Sequence, residues 1–167
     1  FVMPLRRIRQ NTLQIPRVML VLFIAFLYCA IFLGEVRSFY YAVPHWDTIL
    51  HTMSGAMLGA LGFSMIAIFN NAERIPLNLS PVFIAVFAFC FALAMGAVWE
   101  IYEFTMDSVI GTNMQKYMLD NGTALIGQAA LQDTMKDIIV DAIGALEMST
   151  IGYISRKYKK GWVEKLM

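Results

Sequence analysis

Eight residues able to hold a metal ion or move a proton fall into three groups with helical spacing. Asp47 and His51 stand at i and i+4. Glu100, Glu103 and Asp107 stand at i, i+3 and i+7. Asp133, Asp137 and Asp141 stand at i, i+4 and i+8. On a helix each group lines one face. Carboxylates with one imidazole suit a hard or borderline divalent cation: Mg²⁺, Mn²⁺, Ca²⁺, Zn²⁺ or iron. Asp47, His51, Glu100, Glu103, Asp107, Asp133, Asp137 and Asp141 are therefore the candidate ligands. Beside such an ion, His51 and Glu103 are the candidate acid or base. Lys136, within the third group, is the candidate contact to a substrate phosphate.

The elements that carry these groups are apolar. The chain has 167 residues, 59% hydrophobic and 15% charged, with mean hydropathy +0.61. An ordinary soluble domain is about 45–50% apolar and about 25% charged. Four segments, about 18–34, 46–69, 81–107 and 132–154, approach or exceed the roughly 20 residues needed to cross a bilayer core. Long continuous runs without period-2 alternation mean helices rather than barrel strands. The expected fold is all-α, a polytopic helix bundle with four transmembrane helices in one domain over 1–167. Ser80-Pro81 reads as a helix start. A long loop is expected over 112–131. Gly55, Gly59 and Gly62, Ala92 and Gly96, and Gly144 give three helices small-residue faces suited to close packing. Cys29 and Cys90 lie inside apolar runs and read as small buried hydrophobes. The chain begins with Phe1, and upstream helices are expected.

Charge is distributed unevenly between the two sides of the bundle. Arg6, Arg7, Arg9, Arg17, Arg74, Arg156, Lys157, Lys159, Lys160 and Lys165 fall on the side of the N-terminal segment. Arg37, Lys116 and Lys136 fall on the other. The excess of positive charge places the first side, with both termini, in the cytoplasm. Most acids lie on the outer side: Glu35, Asp47, Glu100, Glu103, Asp107, Asp120, Asp133, Asp137 and Asp141. Only Glu73 and Glu164 lie on the inner side, and Glu147 nearer mid-helix. At 1.5 Å per residue, Glu100 lies about 10 Å deeper than Asp107, and Asp141 about 12 Å deeper than Asp133. Isolated carboxylates at depth cost a few kcal/mol each, so the column calls for a cation, protons or water. Asp107, Asp133, Asp120 and Glu35 suit a solvated interface as well as a site. Glu100, Glu103, Asp137 and Asp141 point to a ligand or cavity. His45 and the aromatic residues Phe39, Tyr40, Tyr41, Trp46, Trp99 and Tyr102 read as interfacial.

The motifs WDTILHTMSG, FCFALAMGAVWEIYEFTMD and LQDTMKDIIVDAIGAL occur in order, one per helix. Together they resemble the YjdF-like family of small bacterial membrane proteins, which is distantly similar to VanZ-like proteins. The resemblance spans about 34–153. It implies a multi-helix membrane fold with further helices upstream. Its matching positions are Asp47, His51, Glu100, Glu103, Asp107, Asp133, Lys136, Asp137 and Asp141. It implies no activity, and Glu147 departs from the apolar pattern expected there.

Three functions fit these features. The first is a metal-dependent enzyme acting on a lipid or lipid-linked substrate at the outer face. The second is a proton- or cation-coupled transporter, which gains if Glu147 joins the column. The third is a structural or accessory subunit with a stabilising ion. Membrane lipid is the expected partner. The basic C-terminal run reads as an anchor beside anionic lipid, not a nucleic-acid surface.

Overall fold

The computed structural model describes residues 17–71, 79–119 and 121–158. Arg6, Arg7, Arg9, Glu73, Arg74, Asp120, Lys159, Lys160, Glu164 and Lys165 lie outside them. Helix α1 (Arg17–Leu27) continues into a π-helical stretch, Tyr28–Val36. A short α2 (Phe39–Ala42) follows, then three long helices: α3 (Trp46–Asn71), α4 (Pro81–Ile110) and α5 (Gln128–Lys157). No strand occurs among the described residues, only one antiparallel bridge between Met118 and Ala124. Arg17–Val36, Trp46–Ile66, Pro81–Ile110 and Gln128–Lys157 are long and apolar enough to cross a membrane. The protein is an all-α, polytopic membrane protein.

The helix ends follow local chemistry. Ser80 accepts a hydrogen bond from the Phe83 amide at 3.2 Å, with Pro81 at the first helical position. Gly111, at φ +71°, ends α4 in the left-handed region where glycine carries no steric penalty. The stretch WEIYEFTMD is therefore wholly helical. Helix α5 starts earlier than the sequence suggested, at Gln128, and the intervening loop shortens to 111–127.

Helix α3 packs against both α4 and α5. At two crossings the backbones meet almost directly: a Cβ on Gly55 would strike the Asp141 carbonyl, and one on Gly144 the Thr52 carbonyl. Toward the other end of the bundle, Phe63, Ile66, Ile84 and Ala88 form an apolar core. The outward faces remain apolar. On α5, Leu131, Met135, Ile139, Ile143 and Leu146 are all exposed. They alternate at helical spacing with the inward Asp133, Asp137, Asp141 and Gly144. A soluble protein would not leave such stripes uncovered, whereas lipid solvates them.

Candidate metal centre

Because consecutive long helices run in opposite directions, the start of α3, the end of α4 and the start of α5 meet at one end. The three polar groups therefore converge. Asp137 and Asp141 are 1% exposed, Glu100 4%, and His51, Glu103 and Asp107 8%. Asp47 and Asp133 are half-buried at the mouth.

His51 lies at the centre. Its Nδ1 is 3.3 Å from Asp141 Oδ2. The other oxygen of Asp141 accepts the Ser54 hydroxyl at 2.8 Å. Asp141 thus orients the imidazole through Nδ1; in the neutral tautomer protonated there, Nε2 carries the lone pair that a metal ion would take. Nε2 faces Asp47 Oδ1 at 3.7 Å and Asp137 Oδ2 at 4.0 Å. Two sets of donor atoms sharing His51 lie within 4.8 Å of one another: Asp47, His51 and Asp137, and His51, Glu100 and Glu103. For ions bound at 2.0–2.6 Å, two ligand atoms stand at most about 4–5 Å apart, so both sets suit an ion.

The remaining hydrogen bonds divide the acids by role. Glu103 Oε1 accepts the Trp99 indole N–H at 2.8 Å. Asp107 accepts from the Thr112 hydroxyl at 2.6 Å and from the amides of Met114 at 2.7 Å and Gln115 at 3.0 Å. It is spent on folding the loop. Asp47 and Asp133 both accept from Lys116, which meets the two Asp133 oxygens at 3.0 and 3.1 Å. Glu100 and Asp137 are left over. Both oxygens of Glu100 and Oδ1 of Asp137 are buried, and among the described residues none has a hydrogen-bond partner. The Gln115 amide and the Thr134 hydroxyl approach Glu100 but stand outside hydrogen-bond geometry to its oxygens; they bond each other at 2.8 Å.

Lys116 and Tyr40 are among the residues that spacing did not bring into the site. Lys116 sits in the loop at φ +48° and bridges α3 to α5. Burial works against its charge, but the hydrogen bond and field of Asp47, with Asp133 adding, hold its pKa above the ordinary lysine value. Tyr40 abuts Gly34. Burial, reinforced by Asp47, Glu35 and Glu103, pushes its phenol up to about 12, so it stays a neutral donor beside the cluster. Ser54 also joins the site.

The family model described as "Predicted membrane protein (DUF2238)" matches residues 1–158. The chain belongs to this family. An uncharacterized protein of Thermotoga maritima is 26% identical over 131 residues, covering 78% of this chain and 59% of the relative. The chain thus spans about three fifths of that relative's length. No solved structure matches.

Within this family member, the structure gathers Asp47, His51, Glu100, Glu103, Asp137 and Asp141 around one point. Asp107 and Asp133 lie at its rim, committed to the loop and to Lys116. Lys136 is half-exposed and makes no ion pair among the described residues. The cation that pairs with the cluster is Lys116. Glu147 is exposed beside the outward apolar stripe of α5, not in line with Asp133, Asp137 and Asp141. His45 is exposed as well, and Cys90 lies exposed on α4 rather than buried.

Proposed function

We propose that this protein binds one divalent cation between His51 Nε2 and the carboxylates of Asp47, Glu100, Glu103 and Asp137, and acts with it on a lipid or lipid-linked substrate. One observation carries the reading: Glu100 and Asp137 bury carboxylate oxygens without a donor, beside an imidazole whose Nε2 faces Asp137 and which groups with Glu100 and Glu103 at ligand spacing. Seven carboxylates (Asp47, Glu100, Glu103, Asp107, Asp133, Asp137 and Asp141) share this end of the bundle with the ammonium of Lys116. Mutual repulsion in an apolar setting makes such a group unfavourable without a further positive charge. The donor set, oxygen-rich with one imidazole and no thiolate, fits Mn²⁺, Mg²⁺, Ca²⁺, Zn²⁺ or iron.

When bound, the ion supplies Lewis-acid polarisation of a phosphoryl, carbonyl or water oxygen. The chain supplies the rest. Asp141 and Ser54 orient His51. Trp99 holds one oxygen of Glu103 and leaves the other to take or give a proton. Tyr40 offers a neutral O–H, and Lys136 at the rim offers an ammonium to a phosphate. The surrounding apolar helix faces support a substrate that arrives through the bilayer.

The basic residues favour an outward-facing cluster and cytoplasmic termini. Glu100 lies about 28 Å along α4 from Pro81, close to the thickness of the hydrocarbon core. That depth supports a cluster at the outer boundary of a bacterial inner membrane. The three ordered motifs support a place among the YjdF-like members. A stabilising ion without turnover is the second reading, favoured by the way loop 111–127 and three helices all tie into the cluster. Transport has less support, because Glu147 does not extend the column.

The test is elemental analysis of purified protein after supplying Mg²⁺, Mn²⁺, Ca²⁺ and Zn²⁺. About one ion per chain is expected in wild type and little in Glu100→Gln or Asp137→Asn. Asp107→Asn should keep its ion. A folded wild type that holds no ion overturns the reading. An ion that raises Tm but supports no turnover of lipid phosphates or esters selects the stabilising role.

A further inference from the structure

Asp47 offers its two oxygens to different partners. Oδ1 faces His51 Nε2 at 3.7 Å, while Oδ2 accepts from the Lys116 ammonium. The same ammonium grips Asp133 on α5 at 3.0 and 3.1 Å. Its side chain is 40% exposed, so it stands where the cluster meets water. It is carried by a loop that is also tied to Asp107 on α4 and Thr134 on α5, its remaining bonds being internal. Asn113 bonds Met118 in both directions, at 2.7 and 3.0 Å. Leu125 donates to Tyr117 and Leu119 to Thr123.

We propose that Lys116 is the affinity-setting residue of this site: an internal cation that shares Asp47 with the metal ion, so that each weakens the hold of the other. The inference rests on the metal reading given above. An ion on Oδ1 draws charge away from Oδ2 and repels the ammonium at close range. In turn the ammonium lowers the charge available to the ion. Such coupling is reciprocal: if Lys116 weakens metal binding, metal binding must loosen Lys116 by the same factor. Loosening Lys116 frees the link between α3, α5 and loop 111–127. An ammonium and a relaxed loop then stand at the mouth, where an anionic substrate enters.

The experiment titrates Mn²⁺ into the purified full chain and follows free Mn²⁺ by electron paramagnetic resonance. Four proteins are compared: wild type, Lys116→Met, Lys116→Arg and Asn113→Ala. Asn113→Ala loosens the loop without changing charge. Lys116→Met should bind Mn²⁺ at least about tenfold more tightly than wild type. Lys116→Arg should stay within about threefold, and Asn113→Ala likewise. In wild type, Mn²⁺ should also speed amine-reactive labelling of Lys116, read by peptide mass spectrometry. Equal or weaker binding by Lys116→Met overturns the inference and leaves the metal site standing. Equal tightening by Asn113→Ala overturns it too, since loop loosening would then be the cause. No Mn²⁺ bound by any of the four overturns this inference, and the metal reading falls with it when Mg²⁺, Ca²⁺ and Zn²⁺ are not held either.

Discussion

Replacing Glu100 by methionine should stabilise the metal-free protein and destabilise the metal-loaded one relative to wild type. Without an ion, Glu100 is 4% exposed and neither oxygen meets a donor. An acidic group at the centre of a membrane helix costs about 2.5–3.5 kcal/mol on insertion scales, and near the end of the span about 2 kcal/mol is the appropriate figure. Methionine keeps the length, removes the carboxylate and adapts to the space. For a chain of this size 1 kcal/mol moves Tm by about 2–4 °C, so the metal-free variant should melt about 4–8 °C above wild type. With an ion at a hundred times its Kd, wild type gains about 2.7 kcal/mol, or about 5–11 °C. The variant, short of one ligand, gains little of this. The order of melting temperatures should therefore invert between EDTA and saturating Mn²⁺. Trp46 and Trp99 flank the site and report the melt by intrinsic fluorescence in detergent. A variant less stable than wild type under both conditions refutes the reasoning, because Glu100 would then be satisfied within the fold. A variant more stable under both would make Glu100 a buried acid with no part in ion binding.

Gly96→Ala should weaken Mn²⁺ binding about tenfold or more without removing any polar group, because its Cβ would press on the Asp141 carboxylate that orients His51; calorimetric titration reads the loss, and unchanged affinity would show that Asp141 need not hold its position. Asp141→Asn should cost about 10–100-fold in the same titration, the usual effect of removing a carboxylate behind a ligating histidine. Asp107→Ala strands two loop amides and should lower stability by about 1–3 kcal/mol. Hydrogen exchange should then speed at Met114 and Gln115 while the metal content stays near wild type. If the ion is lost instead, Asp107 is a ligand and not merely a loop anchor.

The fold was legible because its determinants are local or one-dimensional. The apolar lengths between Trp46 and Ile66, from Pro81 and from Gln128 announce spans, and the Ser80-Pro81 start reads directly from two residues. Helical spacing brought Asp47, His51, Glu100, Glu103, Asp137 and Asp141 to one end, because consecutive spans alternate direction. What spacing does not carry is hydrogen-bond assignment across elements. Asp107 has the same register as Glu100 and Glu103, yet its oxygens go to loop amides seven and eight residues later. Lys136 shares the face region of Asp133 and Asp137, whereas the ammonium that reaches the cluster is Lys116, from a loop whose path depends on a left-handed residue. Tyr40 reads as one of three consecutive interfacial aromatics. Its neighbour across the π-helical turn, Gly34, is a tertiary fact.

The packing of the bundle and the polarity of its site have one origin. Gly55 lets α3 reach the backbone at Asp141, Gly144 lets α5 reach the backbone at Thr52, and Gly96 leaves room on α4 for the Asp141 carboxylate. These contacts lie within one turn of His51, Asp137 and Glu100. Close approach there draws the acids inward on three helices at once, so the helices cannot pack tightly without confronting their charges. A bundle held only by small-residue contacts would gain from apolar side chains at 100 and 137, since neither carboxylate contributes a complete set of hydrogen bonds. Their presence at the tightest crossing is therefore hard to attribute to packing alone, and a bound cation gives the crossing and the carboxylates a common reason.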